Sequence, residues 1–338
     1  MILHLTHIIY NWQKEPMNGN REVTNMKKRF TFLILLVVSI IMSTMVIYAD
    51  TSTDYDEHIY AKHKPILKID EFSFQNEMVR RTVTEYCDMN KDGYLSQYEM
   101  DYVTYLDVDV AYMQETDAYK YGKQVYQDEK YRVIDFKGIE VFKNIKLIYF
   151  SCALVNGERG YVKNFKYLST LKIESIGIAF SDKNYNLNQL KGLKYIGFEG
   201  CKNFNLKFDK KSKIEGISLK YCKGKVDVSN LKNLKTFSSY ETIFKKIKFG
   251  KNAKLKKLSI DGSADCINKK IRKLDISKMK NLRYLYLQSC TKLKEIKMSK
   301  KNNKKLKKIE IYGCGKFKKS SLDKTQISKK TKVRVLTW

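Results

Sequence analysis

From Ile145 to the C-terminus, apolar residues recur in one short pattern, apolar-x-x-apolar-x-apolar, with polar or charged residues between them. The clearest copies are Leu193-Ile196-Phe198, Ile214-Ile217-Leu219, Leu255-Leu258-Ile260, Leu282-Leu285-Leu287 and Leu306-Ile309-Ile311. Ile145-Ile148-Phe150, Leu168-Leu171-Ile173 and Leu234-Phe237-Ser239 complete a series whose copies start every 20 to 27 residues. Alternation at every second residue is the mark of a short strand with one buried face. One such strand cannot bury its apolar side alone, whereas copies stacked in parallel share a continuous core.

A period in the twenties with this spacing predicts a leucine-rich repeat solenoid over residues 133–338, with parallel strands on the concave side and an extended, irregular convex side. Three residues past the sixth position the chain turns a corner around an inward residue. That slot holds Cys201, Cys222, Cys290 and Cys314, with Ala153, Ile176, Thr242 and Ser263 in the other copies. A second apolar pair follows most copies, as in Leu206-x-Phe208, Val226-x-Val228, Ile247-x-Phe249 and Ile296-x-Met298. It predicts a second extended segment on the convex side. Leu274-x-Ile276 comes late, after extra residues at 264–270, and Val333-x-Val335 is expected to cover the last rung. Slot cysteines in stacked copies read as small buried apolar groups rather than disulfides, and no pairing follows for Cys87, Cys152 or Cys266.

The N-terminal third has a different organisation. Met26-Lys27-Lys28-Arg29 and the apolar run from Phe30 to Ala49 read as an export signal or signal anchor over 26–49. Either outcome places the repeats outside the cell; an uncleaved run is the one route to a membrane. Residues 1–25 match neither a signal nor a fold, and translation is expected to begin at Met26. Residues 50–68 read as a flexible linker, and 109–132 as an inserted loop. A helix is expected over residues 69–87, with Ser73 as its cap. It leads into a first repeat-like strand at Val103-x-x-Leu106-x-Val108, so that 69–108 forms a cap.

Within that cap, the twelve residues from Asp88 to Glu99 have the spacing of an EF-hand calcium loop. Asp88, Asn90 and Asp92 offer side-chain oxygens, Tyr94 its carbonyl, Ser96 a direct or water-mediated ligand, and Glu99 a bidentate carboxylate. Gly93 permits the sharp turn, and Ser96 with Glu99 makes a capping box for the next helix. A single loop with no second one predicts one weak structural calcium ion, with a dissociation constant on the order of 10⁻⁴ to 10⁻³ M.

The order of export signal, helix, Asp-x-Asn-x-Asp-Gly-x-Leu-Ser-x-x-Glu loop, Val103–Val108 strand, Phe136-Lys137-Gly138-Ile139-Glu140 and repeats resembles a family of exported bacterial leucine-rich repeat proteins common in Gram-positive anaerobes. It is more distantly similar to the internalin type, whose helical cap resembles a truncated EF-hand. The resemblance covers roughly Glu71 to Trp338 and implies a secreted or surface recognition protein without fixing its ligand.

Charge sharpens the partner question. The formal net charge is +30 at pH 7, yet residues 50–140 carry 11 Lys and Arg against 20 Asp and Glu, a net of −9. Residues 141–338 carry 50 against 14, a net of +36. Such a basic surface draws anionic wall polymers or glycans, while export makes nucleic acid a poor partner. The concave face is expected to bind a protein or glycan through Tyr195, Glu199, Tyr221, Tyr240, Tyr284, Tyr286 and Tyr312, with Tyr149, Glu174, Glu215, Glu241, Asp261 and Glu310 beside them. No catalytic residue stands out: His4, His7, His58 and His63 all precede the repeats, and no nucleophile or phosphate-loop motif is present. The leading expectation is therefore a non-enzymatic binding protein. A self-assembling surface protein and, behind it, a glycan-acting enzyme are the alternatives.

Overall fold

The computed structural model describes residues 64–262, 271–322 and 324–336. The segment 26–49 read as an export signal, residues 1–25, the four histidines, Ser263 and Cys266 lie outside them. A ten-stranded sheet runs from the Tyr105–Asp109 strand to the Lys332–Leu336 strand, and each neighbouring pair in it is parallel. The chain is a leucine-rich repeat solenoid with a small helical cap. One strand from each repeat joins this sheet, and the consensus apolar residues face one continuous core. Leu106, Ile148, Ile176, Ile196, Ile217, Phe237, Leu258, Leu285, Ile309 and Val333 stand in a single file from rung to rung.

The convex pairs form the second extended layer that their alternation predicts. Lys202–Lys207, Lys223–Asp227 and Ile243–Lys248 make a three-stranded parallel sheet, and Lys273–Asp275 pairs with Glu295–Lys297. The corner slot is also as expected: Cys201, Cys222, Cys290 and Cys314 are buried and free. The thiols of Cys222 and Cys314 donate back to the carbonyls of Lys220 and Tyr312, at 3.1 and 3.4 Å. Thr242 does the same with its hydroxyl to Tyr240 at 3.1 Å. Cys87 and Cys152 are buried and free as well.

One copy is out of register with the sequence reading. The rung after Ile145 begins at Ile173, because Ile176 pairs with Ile148 on one side and Ile196 on the other. Leu168 and Leu171 are buried but close a 3-10 turn over Phe165–Thr170. The slot residue is therefore Ser181 rather than Ile176. The Ile145 repeat is lengthened by a small hairpin, Leu154–Val155 against Glu158–Arg159.

The cap differs more. Pro65–Lys68, read as the end of a linker, is a strand antiparallel to Tyr94–Ser96. Helix α1 (Glu77–Tyr86) begins at Asn76, whose side chain accepts from the Val79 amide at 3.1 Å. Ser73 does not cap it, because the Asp70 carboxylate takes the amides of Phe72 and Ser73, both at 3.1 Å, and holds that stretch as a turn. Helix α2 (Gln97–Tyr102) has the expected capping box. The segment read as an inserted loop contains helix α3 (Val110–Tyr121), capped by Asp109. Its buried face includes the polar Gln114 and Asp117, which hides the helical period. Asp117 is satisfied by Arg81 of α1 at 2.5 Å and by the Tyr131 hydroxyl; these partners hold its carboxyl below the ordinary range, against the opposing effect of burial. Cap and repeat apolar residues belong to one core. Among the described residues no helix is long and apolar enough to cross a membrane.

Ser239 occupies the sixth consensus position, in register with Leu219 and Ile260. Its buried hydroxyl has no hydrogen-bond partner. Removing an unsatisfied buried hydroxyl recovers its desolvation cost, so Ser239→Ala is expected to stabilise the chain by about 1 kcal/mol, read as a higher urea midpoint with an unchanged slope.

Candidate functional site: the cap loop and the concave face

The cap loop is short of hydrogen-bond donors at one point. Asp88 is 1% exposed and Glu99 is 2% exposed, so two carboxylates are taken out of water within one turn of chain. The Gly93 amide, at φ +82°, donates to Asp88 Oδ2 at 3.0 Å. Asp88 Oδ1 is buried with no partner. Burial, with Glu99 and Asp92 nearby, pushes the Asp88 carboxyl up, and the Gly93 amide opposes this only in part. Asn90 donates to Asp92 Oδ2 at 3.0 Å, and Asp92 Oδ1 accepts from the Tyr94 amide at 2.8 Å. Lys91 crosses to the carbonyls at the end of α1, on Thr84 and Glu85, at 2.8 and 2.7 Å.

Glu99 draws the loop closed. Its Oε1 accepts from the Met89 amide at 2.7 Å, and its Oε2 from the Ser96 amide and hydroxyl at 2.8 and 2.9 Å. Among the described residues no three carboxylates or other strong ligands converge on one point. The oxygens nevertheless fit a hard cation in kind: the donor set is all oxygen, as calcium requires, and Asp88 Oδ1 is an orphan of the sort such an ion satisfies. Asp88, Asn90, Asp92, the Tyr94 carbonyl, Ser96 and Glu99 would hold it, with Glu99 exchanging amide donors for the ion.

Glycines and serines fill the middle of the concave face: Gly177, Gly197, Ser218, Ser238 and Ser259 occupy equivalent central positions on five successive strands. Tyrosine rings lie down on this floor. A Cβ on Gly177 would meet the Tyr149 ring at 2.6 Å, and one on Gly216 would meet the Tyr195 ring at 2.8 Å. Glycine is thus what lets each ring pack across the next rung, a role that neighbouring-rung alignment, and not the linear pattern, makes visible.

The expected binding residues differ in exposure, with Glu199, Tyr240 and Tyr286 half-buried. Tyr195, Tyr221 and Tyr284 are 48%, 44% and 45% exposed. Tyr312 is only 7% exposed, under Arg334 and against Tyr286, so it belongs to the wall of the face rather than to its contact surface. Tyr221 lies just past its strand, at φ +53°. It still meets Tyr240 edge-on, with ring centroids 5.4 Å apart. Glu241 has the same left-handed corner conformation.

Charges on this face are paired across rungs. Glu199 binds Lys220 at 2.6 Å, Glu174 binds Lys194 at 2.9 Å, and Glu215 binds Lys235 at 2.6 Å. The Lys235 bond, helped by the Tyr195 hydroxyl, holds the Glu215 carboxyl below its ordinary range. Tyr286 donates to Gln288 at 2.5 Å, and Tyr312 to Glu310 at 2.9 Å.

Solved structures of internalins from Listeria monocytogenes align with this chain. Internalin C2 is 10% identical, with 81% of this chain and 98% of that chain covered at a TM-score of 0.36. The functional domain of InlJ, which includes a cysteine ladder, is 13% identical over 81% and 72%, at 0.39. The internalin InlF is 10% identical over 81% and 92%, at 0.35. No family model and no curated protein matches the sequence. The leucine-rich repeat architecture stands on the strand register and the buried file of consensus residues.

Asp261 is the buried carboxyl of the concave face, pushed up to about 7 by burial and by Glu241. The folded chain therefore holds a proton that the unfolded chain has released once pH exceeds an ordinary aspartate value of about 4, and stability falls as pH rises from there towards 7. Thermal melts at about pH 5 and about pH 8 should show the higher Tm at the lower pH, and Asp261→Asn should reduce the difference. An unchanged difference would show that the proton sits elsewhere.

Proposed function

We propose that this chain is a non-enzymatic recognition protein of the extracytoplasmic space, whose concave face binds a protein or glycan and whose cap is fixed by one calcium ion. The observation that carries the reading is the concave face itself. Half-exposed Tyr195 and Tyr284 stand on the sheet and Tyr221 at its corner, with paired charges between them. Tyrosine offers a large amphipathic contact at low entropic cost, and it recurs at binding hot spots for that reason. The export segment at 26–49 supports the extracytoplasmic location.

Ligand screening on arrays of wall and host glycans and surface proteins tests the main reading. A concave-face ligand should lose at least tenfold in affinity when Tyr195 and Tyr284 are both changed to serine; a ligand indifferent to both changes would move the binding site off this face.

Calcium has a separate test. With a dissociation constant on the order of 10⁻⁴ to 10⁻³ M, about 10 mM calcium should stabilise the chain by roughly 1.5–3 kcal/mol, seen as a higher Tm. Tyr94 within the loop should sensitise terbium luminescence, and Asp88→Asn should remove both effects. Equal luminescence and equal melting in Asp88→Asn and the parent chain would dispose of the site.

A further inference from the structure

One file of residues runs along the rim where the chain enters the concave strands. Lys146, Glu174, Lys194, Glu215, Lys235, Lys256, Arg283 and Lys307 stack with each amide bonded to the carbonyl of the member before it, at 2.7–2.8 Å. Sign alternates through its first half, where Lys194 and Lys235 are neutralised by Glu174 and Glu215. From Lys256 onward it holds only cations. The adjacent file, the first residue of each strand, turns basic at the same place, through Lys257, Lys308 and Lys332.

The two files meet in an open cleft of about 720 Å³ between the last three rungs. Lys304 and Lys330 approach it from the connecting loops. Lys305 is held by the Asn281 side chain at 2.7 Å, and Lys308 by Glu310 at 2.8 Å. Among the described residues no carboxylate pairs with Arg283, Lys304, Lys307, Lys330 or Lys332.

We propose that this cleft binds a linear chain of closely spaced phosphate groups. The inference rests on the reading of the chain as a binding scaffold and gives its basic surface a defined site. Rungs about 4.8 Å apart line up Arg283, Lys307 and Lys332 along the cleft, an unpaired cationic run whose counterpart is a polymer that carries charge on every unit of its backbone. Apart from Tyr284 and Ser328 the polar lining offers only ammonium and guanidinium donors, with no amide or carboxylate side chain to accept from the hydroxyls of a sulfated sugar. All but one of the cations are lysines, point charges that suit tetrahedral phosphate without fixing one orientation. Tyr284 is the single aromatic side chain in the cleft, which gives single-stranded nucleic acid no run of stacking platforms.

The test uses the full chain and fluorescently labelled short-chain inorganic polyphosphate, followed by anisotropy at low salt. Changing Lys304, Lys307 and Lys330 together to glutamine should weaken binding at least tenfold, and raising salt from about 50 to about 200 mM should weaken the parent chain steeply. A control carrying Lys225→Gln, Lys245→Gln and Lys246→Gln on the convex side loses the same charge and should change less than threefold. Equal losses in the two triple variants would overturn the cleft while leaving a diffuse basic binding surface in place. No binding of polyphosphate by the parent chain would overturn the polyanion reading as a whole and leave the concave-face reading standing. Tighter binding of a heparin oligosaccharide or of single-stranded DNA than of polyphosphate would overturn the assigned ligand class.

Discussion

Everything in the repeat region depends on rungs stacking in register. A parallel strand pairs through evenly spaced backbone bonds, and a slip of one residue would turn every consensus side chain from core to solvent. Each position of the repeat is therefore repeated in space as a straight file. The apolar file makes the core, the slot file ties strand ends to their corners, and left-handed residues such as Phe180, Tyr221, Glu241 and Ser289 make the turn out of the strand. Extra residues are admitted only where they leave the register untouched, as in the Leu154–Arg159 hairpin.

The same geometry organises the surface. A side chain on one rung meets its equivalents on the next, so charge becomes a property of a file rather than of a residue. Where signs alternate, as at Glu174, Lys194, Glu215 and Lys235, the file neutralises itself through cross-rung bonds. Where they do not, field accumulates along the rim towards the last rungs. On the concave floor the same adjacency lets Tyr149 and Tyr195 lie over the glycines of the following rungs.

A solenoid ends without a partner rung, and the cap answers that at the N-terminal side. Phe74, Met78, Val79, Val83 and Leu95 extend the repeat core into it, and Phe74 stacks on Phe142. The Arg81–Asp117–Tyr131 cluster ties α1 to α3 and to the turn beyond it. The buried acids of the 88–99 loop sit within this closure, so whatever satisfies Asp88 acts on the end of the core as well as on the loop.

The repeat pattern by itself determined the architecture, the identity of most core residues, the slot cysteines, the convex pairs and the spacing of the cap loop. Each of these is a local period or a short motif, and buried alternation leaves little choice of structure. Register at Leu168 was not determined that way, because Leu168-x-x-Leu171-x-Ile173-x-x-Ile176-x-Ile178 contains two overlapping copies and only the neighbouring strands choose between them. Helix α3 was hidden because its buried face is partly polar, and those groups find partners far away in the chain. The strand at Pro65–Lys68 exists only through pairing with Tyr94–Ser96. The tyrosine–glycine packing and the basic rim were likewise decided by tertiary structure, since both arise between residues about twenty positions apart that stacking alone makes neighbours.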